Sequence, residues 1–128
     1  MPLSQHAMMF YGRVAYHDSE GFAIDLAERQ RLAEDLGAKP VMILRNRGPL
    51  IAAQSVPEAF NMMFNLEKAM RAQLSAMATG AELVVPPPAV GEQIPSVVYR
   101  PGQPGYPETT DWPALLRMLD RLDPSFRE

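Results

Sequence analysis

VMILRNRGPLIAAQ, Val41 to Gln54, decides how the rest of the chain is read. Val41, Met42, Ile43 and Leu44 form an unbroken apolar run, the pattern of a strand buried on both faces in the middle of a sheet. Asn46-Arg47-Gly48-Pro49 is a tight corner built from turn-forming residues. Leu50 to Gln54 reads as the return strand. Pro49 removes one amide donor where a strand can spare it, at its beginning. A link this short makes the two strands antiparallel. The chemically suggestive residues lie at or near this corner, and the flanking segments read as packing around it.

Upstream, Lys39-Pro40 delivers the chain extended into the first strand. Asp25 is the expected cap of a preceding helix, with Glu28 at capping-box spacing. Leu26, Leu32, Ala33 and Leu36 give that helix an apolar side, which leaves Glu28, Arg29, Arg31 and Glu34 expected in water. Gly37 is the expected stop. Further upstream, FYGRVAYH (Phe10 to His17) alternates as a strand and runs into the turn cluster Asp18-Ser19-Glu20-Gly21.

Downstream, Ser55 caps a long helix expected over Val56 to Thr79, with Pro57 in its first turn and Glu58 closing a capping box. Val56, Phe60, Met63, Leu66, Met70, Leu74 and Met77 recur at three- and four-residue steps as one seam. Gly80 ends it. Leu83-Val84-Val85 suits a short strand. Eight of the thirteen prolines fall between Pro86 and Pro113, so residues 86–110 are expected as an extended surface strap or a mobile tail rather than core. Asp111 then opens a final helix to about Leu122, with Trp112, Leu115, Leu116, Leu119 and Leu122 as its apolar stripe.

The bulk numbers exclude several classes. A chain of 128 residues with 47% apolar and 21% charged residues has the balance of one globular domain. A net charge of −3 argues against a general nucleic-acid surface. The absence of cysteine rules out disulfides and thiolate zinc sites. No apolar run approaches the roughly 18 residues of a membrane span. The start, MPLSQHAMMF, lacks the pattern of a secretion signal. The cytoplasm is the default expectation.

Few residues carry chemistry. Arg47 at the corner reads either as an anion-binding group, able to hold a carboxylate or phosphate through two bonds, or as a solvated or ion-paired turn residue. Asn46 and Gly48 flank it as further candidates for anion or substrate binding. His17 stands beside Asp18, but adjacent strand residues point to opposite faces, so the pair is badly arranged as a base and its orienting carboxylate. His6 and His17 are eleven residues apart and match no local metal motif. Tyr11 and Tyr16 suit either a pocket or core packing. The methionines of the long helix suit either an adaptable groove or core. No catalytic residue and no metal ligand is assigned.

Taken together, the segments FYGRVAYHDSEG, DLAERQRLAEDLG, VMILRNRGPLIAAQSVPEAF and NMMFNLEKAMRAQ resemble, in order and spacing, the C-terminal half of the class II aldolase/adducin domain. The resemblance covers Pro2 to about Val85. It implies a partial α/β/α sandwich with a mostly antiparallel sheet over residues 1–85, followed by the Pro-rich strap (86–110) and a C-terminal helix (111–128). Active members are metal-dependent lyases or epimerases. They hold zinc with a His-x-His from the first half of the domain and a third histidine at an Asn-His-Gly corner. Here that corner reads Asn46-Arg47-Gly48, and the half carrying the His-x-His and the acidic residue of proton transfer is not in the chain. Arginine has no lone pair to offer a cation. The resemblance therefore implies a degenerate or truncated member, with no cofactor and no aldol-lyase activity expected of this chain alone. One alternative is a class II aldolase acting on a small hydroxy-carbonyl or sugar-phosphate substrate, completed by a missing half or a partner chain. Another is a protein-binding or scaffold module. Self-association or a partner chain is expected in each case, with no nucleic acid and no membrane.

Overall fold

β1 (Val14–His17) lies parallel to β2 (Val41–Leu44), with Val14 opposite Val41 and His17 opposite Leu44. β3 (Gly48–Ile51) returns antiparallel to β2, giving the order β1-β2-β3. The computed structural model describes residues 1–20, 26–98 and 110–127. Among these the sheet is mixed and three-stranded, which corrects the expectation of a mostly antiparallel sheet. The physical reason is the connection. A crossover through a helix brings the chain back to its starting end and makes the flanking strands parallel, whereas only a tight turn forces reversal.

That crossover helix is α2 (Leu26–Leu36). The expected cap at Asp25 and the turn residue Gly21 lie outside the described residues. Gly37, at φ 53°, ends the helix in the left-handed region as expected. The face of α2 differs from the reading by polarity. Leu26 and Ala33 are exposed, while the Glu28 side chain is only 2% exposed. β1 is shorter than Phe10–His17, because Phe10 to Gly12 form turns before the strand begins.

The long helix α3 (Val56–Ala78) opens as its sequence predicts. Ser55 Oγ accepts from the Glu58 amide at 3.3 Å, and Glu58 Oε2 accepts from the Gln54 amide at 2.9 Å. Its inward ridge is Glu58, Met62, Leu66 and Ala69. Val56, Phe60, Leu74 and Met77 of the expected seam are exposed. Phe10, Val41, Met62 and Leu66 form the centre of the core, with Met9, Val14, Ile43, Ile51 and Met70 packed around them.

The remaining elements lie against α3 and the short N-terminal helix α1 (Gln5–Met8). Leu83 to Val85 form no strand, and Val84 is exposed. Within the proline-rich stretch the chain forms a helix, α4 (Pro88–Val98). Pro88 occupies its first position, where a missing amide costs nothing. Gly91 faces the Tyr11 ring so closely that a Cβ there would stand 2.5 Å from Cδ2. Residues 99–109 of the expected strap lie outside the described residues. α5 (Asp111–Leu122) docks on α3 through the Trp112 edge against Phe60, with centroids 5.8 Å apart. The Asn61 amide also donates to Asp111 Oδ2 at 2.7 Å.

Candidate functional site

Because β1 and β2 are parallel, both strands deliver their following residues to one end of the sheet. At that end the Arg45 amide donates to the His17 carbonyl at 2.9 Å, tying the two exits together. The Arg45 guanidinium pairs with Asp18 at 3.1 Å and lies over the Tyr16 ring. The corner follows. Asn46 adopts φ 60°, a left-handed geometry that asparagine tolerates better than most residues. The Arg47 amide donates to the Leu44 carbonyl at 3.0 Å and closes the turn. Gly48 already belongs to β3.

Arg47 turns toward α2. Its Nη1 stands 3.5 Å from Glu28 Oε1, with the arginine side chain 35% exposed. Glu28 Oε1 has no hydrogen-bond partner among the described residues, so this guanidinium is its counter-charge. Residue 47 is therefore ion-paired to a buried group. Of the two readings open in the sequence, the ion-paired turn residue is the arrangement present, and it leaves part of the guanidinium open to solvent.

A second polar group lies at the same end. His17 is buried, and its Nδ1 meets Asp35 Oδ2 of α2 at 2.7 Å, while Asp18 points away to Arg45. The sequence reading made His17 and Asp18 a badly arranged pair, since adjacent strand residues point to opposite faces. It gave no sign of Asp35, 18 positions away. His6 sits in α1, remote in sequence from both groups. Tyr11 and Tyr16 line an apolar cavity of about 560 Å³ with Phe10, Ile43, Leu66 and Met70. Met62 is core and Met70 lines the cavity, so the methionines of α3 serve both expected roles.

The donor set does not suit a resident zinc ion at the corner. Arginine carries no lone pair for a cation. The charge of Arg47 opposes one, and Glu28 Oε1 already serves as its partner. Among the described residues no three His, Asp or Glu side chains converge to hold an ion.

Comparison with known proteins places this geometry. The profile of the class II aldolase and adducin N-terminal domain matches residues 1–74. The chain belongs to this family. It is 36% identical over its whole length to a protein of Caulobacter vibrioides that carries an aldolase class 2 name, covering 49% of that protein. It is 34% identical over 91% of its length to an adducin-related protein of Schizosaccharomyces pombe, covering 37% of it. In structure it matches an aldolase II superfamily protein from Pseudomonas syringae with a TM-score of 0.88 and 43% identity, over 100% of this chain and 50% of that one. An L-fuculose 1-phosphate aldolase from Glaciozyma antarctica shares the fold, with a TM-score of 0.72 at 22% identity over 94% of this chain and 44% of that one. The chain spans about half the length of the first curated relatives it matches. No helix among the described residues is long and apolar enough to cross a membrane.

Proposed function

We propose that this chain is a class II aldolase/adducin-like segment whose corner has exchanged metal binding for an internal ion pair, and that it carries no aldol-lyase activity by itself. The observation that carries the reading is the Arg47–Glu28 pair. A guanidinium committed to a buried carboxylate cannot coordinate zinc, and no three His, Asp or Glu side chains among the described residues gather to replace it. Without a Lewis acid to stabilise the enediolate, carbon–carbon cleavage of this type loses its main source of rate. The exposed part of Arg47, with Asn46 and Gly48, leaves the corner suited to binding an anionic group rather than transforming it.

The apolar cavity between α1, β1 and α3 favours a second element of the reading. It opens beside β1, the terminal strand of the described sheet, and unpaired strand edges invite pairing. Further polypeptide, from the same chain or from a second one, covers it in the working protein. An adducin-like binding role follows from that architecture as readily as an enzymatic one. A retro-aldol assay with added zinc, on sugar-phosphate and hydroxy-ketoacid substrates, tests the first element. The expected result is no turnover above the uncatalysed background. Turnover that disappears with a chelator overturns it.

A further inference from the structure

His17 is 4% exposed, and its two ring nitrogens are treated unequally. Nδ1 meets Asp35 Oδ2 at 2.7 Å. An ionised carboxylate only accepts, so in a neutral ring Nδ1 carries the proton and Nε2 presents a lone pair. Nε2 has no hydrogen-bond partner among the described residues. Glu20 Oε1 stands 4.0 Å from it, beyond hydrogen-bond reach. Arg31 holds that carboxylate as a fork, Nε donating to Oε1 at 2.9 Å and Nη2 donating to Oε2.

The two charge states of the ring need different partners. A neutral ring needs a donor at Nε2, and the Arg31 guanidinium lining the same cavity gives its Nε–H to Glu20 instead. A cationic ring carries N–H on both nitrogens and needs an acceptor at Nε2. Glu20 Oε1 becomes that acceptor after a movement of about 1 Å, which brings it to an ordinary N–H···O distance. Its other oxygen stays on Arg31 through the movement. The surroundings accept the added charge. The open polar cavity of about 490 Å³ at the ring is lined by Tyr16 of β1, by Asp18 and Glu20 of the segment after β1, by Arg31, Glu34 and Asp35 of α2, and by Arg45 after β2. That is four carboxylates against two guanidiniums.

We propose that His17 is a pH-sensitive latch between β1, the segment that follows it and the crossover helix α2. Uptake of a proton at Nε2 turns that nitrogen from an acceptor without a donor into a donor. Glu20 Oε1 then exchanges the Arg31 Nε–H for the His17 Nε2–H. The cationic ring bridges Glu20 and Asp35, and the Arg31 fork opens to a single bond at Oε2. Loss of the proton reverses the exchange. Histidine ordinarily changes charge between about pH 5 and 8, where ordinary carboxyls stay ionised. A carboxyl response in that range therefore reports the ring. The latch uses no atom of residue 47 and stands independently of the proposed loss of lyase chemistry.

The test is a titration of the full chain between about pH 8 and pH 5, followed by NMR at the His17 ring nitrogens, the Glu20 carboxyl carbon and the Arg31 Nε–H. The expected result is a neutral ring protonated at Nδ1, with Glu20 and Arg31 signals that shift at the same midpoint as His17. Glu20→Ala removes the Arg31 response while His17 still titrates. His17→Gln leaves Glu20 and Arg31 without an inflection in this range. That variant alters a buried position, so the titration of the unaltered chain decides the matter if it does not fold. Glu20 and Arg31 signals that stay flat through the His17 transition overturn the proposal. So do signals that follow His6 instead, a neutral ring protonated at Nε2, or a His17 ring that takes up no proton in this range.

Discussion

The Glu28 carboxylate lies 3.5 Å from the Arg47 guanidinium, an ion pair that joins the first turn of α2 to the turn between β2 and β3. Its two ends are unequal, since the glutamate is buried and the arginine partly solvated. Arg47→Ala strands a charge that water cannot reach. Breaking a fully buried pair costs about 3–5 kcal/mol. The exposure of Arg47 lowers that to about 2–3 kcal/mol, because solvent already screens one partner. Glu28→Gln removes the buried charge and leaves a guanidinium that water can solvate, so it costs less. The double variant Glu28→Gln/Arg47→Ala is then less destabilised than the sum of the two. Urea denaturation of the four proteins measures the coupling, and strict additivity would show that the pair does not form in solution.

Arg47→His bears on the same corner from the side of chemistry. It restores the imidazole that the family's zinc-binding members keep there, but only one donor. The expected outcome is loss of the Glu28 counter-charge with no zinc-dependent turnover. Calorimetry and the retro-aldol assay check the two halves separately. Zinc-dependent turnover in this variant alone would show that residue 47 was the sole obstacle, and that further ligands reach the corner from elsewhere.

Gly91 and the Tyr11 ring meet too closely for a side chain between them. The nearest atoms belong to an aromatic ring, which cannot yield as the end of a flexible chain would. Gly91→Ala therefore shifts α4 away from the Tyr11 ring, which lies in the turn after α1. Overpacking of this kind costs about 1–3 kcal/mol, offset in part by the roughly 1 kcal/mol that alanine gains over glycine in a helix. Thermal unfolding of the variant, with Tyr11 fluorescence reporting the local contact, checks the prediction. Tyr11→Ala/Gly91→Ala recovers the helix gain, because the obstructing ring is gone.

Much of this fold is legible in punctuation. Gly37, Lys39-Pro40, Ser55-Pro57-Glu58, Gly80 and Asp111 mark the ends of α2, β2, α3 and α5 to within a residue or two, because caps and stops are local events. Relations across the chain were not legible. Glu28 reads as a water-facing charge until Arg47, 19 positions on, is seen to neutralise it. The alternation of Phe10 to His17 says strand but not direction. α3 is apolar on more than one side, so two ridges sharing Leu66 fit equally well. The position of the sheet selects Met62 over Met63. Prolines disguised α4, although Pro88 stands where a helix accepts one. At the candidate site, Arg47 was visible from the corner motif, whereas Asp35 beside His17 had no local signal at all.

Met62 tests the choice of ridge directly. It is 0% exposed at the centre of the core, while Phe60 is 47% exposed and meets the rings of Phe64 and Trp112. Met62→Ala is expected to cost about 2–5 kcal/mol through lost burial and the cavity left behind. Phe60→Ala costs less and acts locally, loosening α5 rather than the core. Hydrogen exchange separates the two. The first variant lowers protection in β2 and α3 together, and the second only in residues 111–122.

The end of the chain supplies a pH test. Arg127 Nε and Nη2 donate to the two carboxylate oxygens of Asp120 at 2.6 and 2.9 Å. The hydrogen bond from Arg127 holds the Asp120 carboxyl below its ordinary range, with desolvation opposing it and the guanidinium charge adding to it. Asp123 is lowered as well, first by the Ser125 hydroxyl and then by the Ser125 amide. A depressed carboxyl binds its proton less readily folded than unfolded. Its stabilisation is therefore present above the unfolded value and is lost as pH falls through the lower, folded one. The window opens below about pH 4, where free aspartate titrates. Both groups are solvent-exposed, so the expected effect is local: residues 123–127 fray while the core remains intact. A carbon-13 titration of the two carboxyls shows depressed midpoints, and Asp120→Asn makes the end of the chain insensitive to acid at Arg127. A midpoint for Asp120 at the ordinary aspartate value would mean that the fork to Arg127 does not persist in solution.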